Sequence, residues 1–296
     1  MIDSAQPRHV FTVDVEEWFH VLALEPYVKR EAWDVLPSRV EQSTQRLLDL
    51  LARHGSTGTF FILGWVAERC PRLVRHIADL GHEVASHGWG HKRVMLLSRD
   101  EFRSDVRRSR ELLQDITGRR VLGYRAPNFS IVRGYEWALD ILQEEGYSYD
   151  SSIFPIRRSA TYGYAGAPEE PYVHELVNGN LWELPLTPLR VGRARVPACG
   201  GAYFRHLPYA LARRALQQCA ERGRAGVFYL HPWEVDPEQP RVEASLLTRL
   251  RQYGGVRRME RRLERLLSEF RFTTAAHTLG LQAELTRPLA ASASSP

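Results

Sequence analysis

Two histidines four residues apart, His87 and His91, lie in residues 86–91 (SHGWGH), directly after an apolar run. On a helical turn, positions i and i+4 face the same way, so both imidazoles can meet one metal ion. Alone an HxxxH pair is a weak signal. At a strand end it falls where α/β folds collect their sites. A second cluster, residues 12–17 (TVDVEE), puts carboxylates at the end of another very apolar run. An acid buried there is costly unless it is paired or bound to metal. Side chains repeat every two residues along a strand, so Asp14 and Glu16 share a side. One can ligate a metal while the other acts as base, although a helix-capping or salt-bridged acid is the plainer alternative. Residues 123–128 (GYRAPN) form a third element, in which Arg125 can hold a carboxylate in fixed geometry and Pro127 fixes the backbone. In the fourth, Leu230-His231-Pro232-Trp233, a strand again ends in His. Taken singly, a strand-end His or Arg is often only structural.

The elements that must position these residues are legible as short apolar runs. Residues 9–15, 58–64, 82–86, 121–125, 181–186 and 227–231 read as strands apolar on both faces. That is the pattern of a parallel sheet covered by helices. Helical stretches lie between them. Residues 39–54 put Val40, Leu47, Leu48 and Leu51 on one side and run into Gly55, and residues 71–80 run into Gly81. Residues 98–117 open with SRDE, a capping box in which Ser98 caps and Glu101 reaches back. Residues 134–145, 207–222 and 255–269 also read as helices. The last carries five arginines, but Glu260, Glu264 and Glu269 are interleaved, which describes a solvated face and not an anion-binding stripe. Strand and helix alternate, so the fold class is α/β. Residues 156–171 read as a long loop, and residues 286–296, rich in Ala, Ser and Pro, as a disordered tail.

A length of 296 residues accommodates one large α/β barrel or two smaller domains. The formal net charge of +5 does not indicate nucleic-acid binding, because the arginines are spread among acidic residues. Cys70, Cys199 and Cys219 are far apart and form no CxxC pair, so they read as buried free thiols. The opening residues MIDSAQPR contain no apolar segment of signal-peptide type, and no run is long enough to span a membrane. The expectation is a cytoplasmic protein without a transmembrane segment. No self-complementary patch is visible, and a homo-oligomer remains open.

Taken in order, the four elements resemble the polysaccharide-deacetylase family, also called carbohydrate esterase family four or the NodB-homology fold. That family has an Asp-containing strand end, an HxxxH pair, an RxP element and a late LxH element. The resemblance covers roughly residues 8 to 235 and includes the flanking text GTFFILGWVAE and GHEVASHGWGH. It implies a distorted (β/α) barrel over 1–235, with a C-terminal extension over 236–285 packed on it. TVDVEEWFHV, CGGAYFRHLPY and FYLHPWE look like the deacetylases of bacterial exopolysaccharide clusters associated with exosortase systems.

The resemblance also implies roles. Glu16, His87 and His91 would hold Zn2+, with Co2+ or Ni2+ as substitutes, and Glu17 is a rival ligand. By similarity to relatives with a D-x-D spacing, Asp14 would be the base. Arg125 would orient it, and His231 would protonate the leaving amine. From their positions rather than from the resemblance, Asn128 and Phe129, directly after the RxP element, and the rings Trp182 and Trp89 are candidates to contact the sugar, with core packing the plainer alternative for any single ring. Asp150 and Glu183 both compete for the family's fourth motif. The substrate would be an N-acetylated amino-sugar oligo- or polysaccharide, releasing acetate. A cyclic amide or ureide hydrolase on the same fold and a non-catalytic carbohydrate-binding barrel are the alternatives.

Overall fold

The computed structural model describes residues 7–157 and 161–289. β1 (His9–Val15) is buried along its whole length. It is flanked on one side by β2 (Thr59–Ile62) and on the other by β10 (Val227–Leu230), both parallel to it. β3 (Glu83–Ser86), β4 (Gly123–Tyr124), β5 (Tyr149–Asp150) and β7 (Gly179–Glu183) continue the sheet in parallel. β6 (Tyr172–Leu176) closes its edge antiparallel to β7, and β11 (Phe272–Thr273) pairs with the start of β1. The helices between strands are α1 (Val40–Arg53), α2 (Gly64–Arg69), α3 (Pro71–Asp79), α4 (Arg99–Thr117), α5 (Trp137–Glu144), α6 (Gly201–His206) and α7 (Tyr209–Ala220). The chain ends in α8 (Leu246–Tyr253), α9 (Val256–Glu269), α10 (Ala275–Thr278) and α11 (Gln282–Leu285).

The sheet curls into the distorted barrel expected of this fold class. In a flat sheet β1 and β4, three strands apart, would stand about 14 Å from each other. Yet Arg125, just after β4, places Nη1 2.8 Å from both Thr12 Oγ1 and Asp14 Oδ1 on β1. Among the described residues no ladder joins β7 to β10. The gap is spanned instead by the Val227 N–H donating to Thr187 Oγ1 at 2.7 Å and the Tyr229 N–H donating to the Cys199 carbonyl at 3.3 Å. Val10, Phe61, Ala85, Leu122, Tyr149 and Leu184 fill the interior. At the N-terminal mouth α10 acts as a plug. Its first N–H groups donate to Thr59 Oγ1 and Glu83 Oε2, at 2.8 and 2.9 Å.

Most expected elements form close to the expected bounds, and the Ser98–Glu101 capping box opens α4. The expected strand at 181–186 instead runs Gly179–Glu183, because Tyr149 and Asp150 set the register opposite Trp182 and Glu183 and Pro185 follows. The β6–β7 hairpin and the separate pair β8 (Pro188–Val191) and β9 (Ala194–Pro197) were not expected. β6 and β9 alternate half-buried with exposed residues, so neither carries a continuous apolar run. The helix expected from residue 134 begins at Trp137. The tail expected at 286–296 lies outside the described residues from 290 onward. All three cysteines are free thiols, and only Cys199 is fully buried. Among the described residues no helix is long and apolar enough to cross a membrane.

Candidate functional site

Parallel strands deliver their last side chains to one rim, and that rim is where the chemistry collects. Asp14 and Glu16 leave the end of β1, His87 follows β3, Arg125 follows β4 and His231 follows β10. Glu16, His87 and His91 each offer one ligand atom, all within 4.8 Å of one another. The two histidines do not meet on a helical turn as expected. Residues 87–91 form a bend, folded back by Gly88 at φ 75° and by His91 itself at φ 55°. A non-glycine residue held in that left-handed region is sterically costly and marks a functional constraint. At Gly88 a Cβ would also lie 2.7 Å from Asp105 Oδ2.

The donor set suits a divalent ion of the zinc type. His87 Nδ1 lies 2.8 Å from the Arg125 carbonyl, which can only accept, so Nδ1 carries the hydrogen and Nε2 keeps its lone pair. Burial pushes the His87 imidazole down to about 4, which keeps it neutral as a ligand must be. Glu16 Oε1 accepts from Trp233 Nε1 at 3.2 Å. Its Oε2 accepts no hydrogen bond among the described residues, although His91 Nε2 is 2.7 Å away. A buried carboxylate oxygen without a donor is expensive, and a cation shared with two imidazoles relieves that cost. Glu17, the rival carboxylate, faces elsewhere. It accepts from the Arg39 and Val40 N–H groups and from the Ser38 hydroxyl, and so anchors the start of α1.

On one side of this cluster Asp14 Oδ1 receives Arg125 Nη1. Arg125 is wholly buried, yet its donors are matched: Nε and Nη2 go to the Ser151 carbonyl and hydroxyl at 3.0 and 2.9 Å. The contested fourth-motif acids lie behind it. Asp150 and Glu183 face one another across β5 and β7, and Asp150 accepts from Ser152, whose hydroxyl takes the Ala126 N–H. Burial, and then each other's charge, pushes Asp150 up, while burial brings Glu183 up to about 8. Neither lines the cavity. Together they hold the backbone that carries Arg125.

On the other side His231 Nε2 is 3.9 Å from Asp14 Oδ2 and 3.7 Å from Glu16 Oε1. Its Nδ1 lies 2.9 Å from Glu234 Oε1, and Glu234 Oε2 receives Arg205 Nε at 3.0 Å. Burial alone would lower the His231 imidazole, but Glu16 and then Glu234 outweigh it and raise it to about 9. Sequence reading missed Glu234, for which the available signal was its spacing three residues after His231. It also missed His20, whose buried ring stacks on His91 at 6.0 Å.

A cavity of about 490 Å³ opens over these groups. Phe129, Tyr162, Tyr203, Tyr229 and Trp233 form its aromatic walls, and Asn128 and Phe129 enter it from backbone at φ 55° and 52°. Trp89 and Trp182, expected to contact sugar, do not line it. Trp89 packs against Gly64 beneath the Arg108 guanidinium, and Trp182 sits on β7 beside Val173. Trp89 is held under α4 outside the sheet, whereas Trp182 packs against the interior cluster beside Tyr149, away from the residues that line the cavity.

Residues 32–149 match the family model of polysaccharide deacetylases. That match covers less than half of the chain. Residues 151–280 match a domain of unknown function (DUF3473). His87, His91 and Arg125 fall within the deacetylase match, His231 within the second, and Asp14 and Glu16 ahead of both. The chain is 30% identical over 123 residues to a peptidoglycan-N-acetylglucosamine deacetylase of Bacillus cereus, covering 36% of this chain and 44% of that protein. It is 30% identical over 115 residues to a peptidoglycan deacetylase of Helicobacter pylori, covering 38% of each. The chain therefore spans less than half the length of these two relatives. A crystal structure of a Mycobacterium smegmatis protein assigned to the polysaccharide deacetylases superposes over 97% of this chain and 96% of that one, with a TM-score of 0.63 and 22% identity. The likeness of fold thus extends through both matched regions.

Proposed function

We propose that this protein is a metal-dependent N-deacetylase of amino-sugar oligomers or polymers, with Asp14 as general base and His231 as general acid. One observation carries the reading. Asp14, fixed by Arg125, and His231, fixed by Glu234, flank the Glu16–His87–His91 cluster at the floor of an aromatic cavity. A divalent ion held by those three residues supplies Lewis acidity toward an amide oxygen and acidifies bound water. Asp14 takes the proton from the attacking water, and the Arg125 guanidinium keeps its carboxylate oriented. The Glu16, Glu234 and Asp14 carboxylates keep His231 protonated, so that it can give a proton to the leaving amine, which departs poorly as an anion. Phe129, Tyr203 and Tyr229 offer faces for sugar rings. The size and aromatic lining of the cavity favour an oligosaccharide over a small cyclic amide.

The substrate we infer is an exopolysaccharide or its precursor. Support comes from the segments that carry the exosortase-type resemblance, since Val21, Gly201 to Tyr203, Arg205 to Leu207, and His231 with Trp233 all line the cavity. Zinc-reconstituted protein is expected to release acetate from N-acetylglucosamine oligomers. Failure to release it from any amino-sugar oligomer sinks the proposal.

Glu234, second to Glu16, contributes to the alkaline limit. A raised imidazole is protonated above its ordinary 6.5, and the acid function is lost as pH rises through the raised value, which an ion on Glu16 would bring below the value of about 9 that the protein groups alone give. Glu234→Gln removes one carboxylate but keeps the shape. The alkaline limb of the kcat profile should then move to lower pH by about 1 unit. An unmoved limb removes Glu234 from this role.

A further inference from the structure

A second cavity, of about 310 Å³, adjoins the first and shares Leu22, His91 and Asn128 with it. Its character is different. Lys29, Arg30, Lys92 and Arg93 surround it, with Glu25 as the one carboxylate among its lining residues. Arg93 is matched by Glu25 at 3.3 Å. Arg30 donates to the Gly90 carbonyl and lies 4.4 Å over the Trp33 ring. Asp105, Glu31 and Asp34 also face Arg30, but Asp34 is paired with Arg69 and Asp105 accepts the Trp89 N–H. Lys29 and Lys92 are exposed residues.

The buried wall of the same cavity points to an acceptor as well. His20 is 4% exposed, and its Nδ1 accepts the Glu17 N–H at 3.2 Å. The ring hydrogen of the neutral imidazole therefore sits on Nε2. That nitrogen has no hydrogen-bond partner among the described residues. A cavity ringed by cations and walled by an unmatched ring N–H is complementary to an anion.

We propose that this second cavity is a subsite for an anionic group, a carboxylate or a phosphate, on the sugar next to the one being deacetylated. The inference rests on the deacetylase reading and deepens it, because it makes the preferred substrate an acidic amino-sugar chain. Sharing His91 and Asn128 places the anion one wall away from the metal-binding cluster. An oligosaccharide can therefore bridge the two cavities.

The test measures calorimetric binding to the zinc-loaded protein. One ligand is the neutral N-acetylglucosamine tetramer, and another is a tetrasaccharide alternating N-acetylglucosamine with glucuronate. A third carries phosphate on a neighbouring sugar, which separates phosphate from carboxylate as the preferred anion. Wild type should bind at least one acidic ligand about tenfold tighter than the neutral one. Lys29→Ala with Lys92→Ala should bring that ratio down about five- to tenfold, as loss of two exposed ionic contacts predicts. Added salt should shrink it too. A ratio near one in wild type, a ratio the double variant leaves unchanged, or no binding of any tetrasaccharide overturns the subsite. Acetate release from the same ligands separates the two claims. Charge preference without acetate release removes the deacetylase reading alone, and acetate release without preference removes the subsite alone.

Discussion

Asp14→Asn is expected to lower kcat by about 10²–10⁴-fold while bound metal stays near one ion per chain. The amide keeps the size and one acceptor oxygen, so Arg125 Nη1 retains a partner at that position. What disappears is the basic oxygen facing His231 at 3.9 Å. The Glu16–His87–His91 cluster is not altered by the change. The two halves of the result are read separately, kcat by acetate release and metal content by elemental analysis. A variant that keeps most of its turnover transfers the base role to another group. A variant that loses metal along with turnover makes Asp14 a ligand.

His87→Ala should have the opposite signature, with metal lost first and activity lost in consequence. The Nδ1–H of His87 is committed to the Arg125 carbonyl, which aims Nε2 as a ligand with its orientation already fixed. Disturbing only the support of a metal ligand typically costs 10–100-fold in affinity, so removing the ligand itself should cost more than about 100-fold. The purified variant should hold well under one equivalent of zinc after dialysis. Because the side chain is 1% exposed, the truncation also leaves a small cavity, and circular dichroism should accompany the metal assay to show that the barrel is folded. Full zinc occupancy in a folded variant would remove His87 from the cluster.

Much of this site was legible before any coordinates. Apolar runs at regular spacing mark parallel strands, and parallel strands put their C-terminal ends on one rim. Chemistry-bearing residues directly after those runs are therefore neighbours whatever the loop details. That reasoning reaches Asp14, Glu16, His87, Arg125 and His231. It also sets the α/β class, and the Ser98–Glu101 capping pattern locates the start of α4.

Local sequence could not decide direction within a bend or contacts between distant segments. Glu16 and Glu17 are adjacent acids of equal chemistry. Only the return of residues 38–40 beside β1, which gives Glu17 three donors, leaves Glu16 for the cluster. His91 reaches the cluster through a left-handed backbone angle that no periodicity reveals. Trp89 and Trp182 have the composition of sugar platforms, but Trp89 packs under α4 and Trp182 against the interior cluster beside Tyr149. The aromatic walls of the cavity come from residues 129, 162, 203, 229 and 233, which share no sequence pattern and meet only because the barrel curls. The sequence by itself thus determined which candidate residues stand together at one end of the sheet, because side-chain type and strand periodicity are local properties. The tertiary structure alone decided which acid faces the His87–His91 pair, which rings face the cavity and where cations gather beside it, because those depend on contacts between segments far apart in the chain.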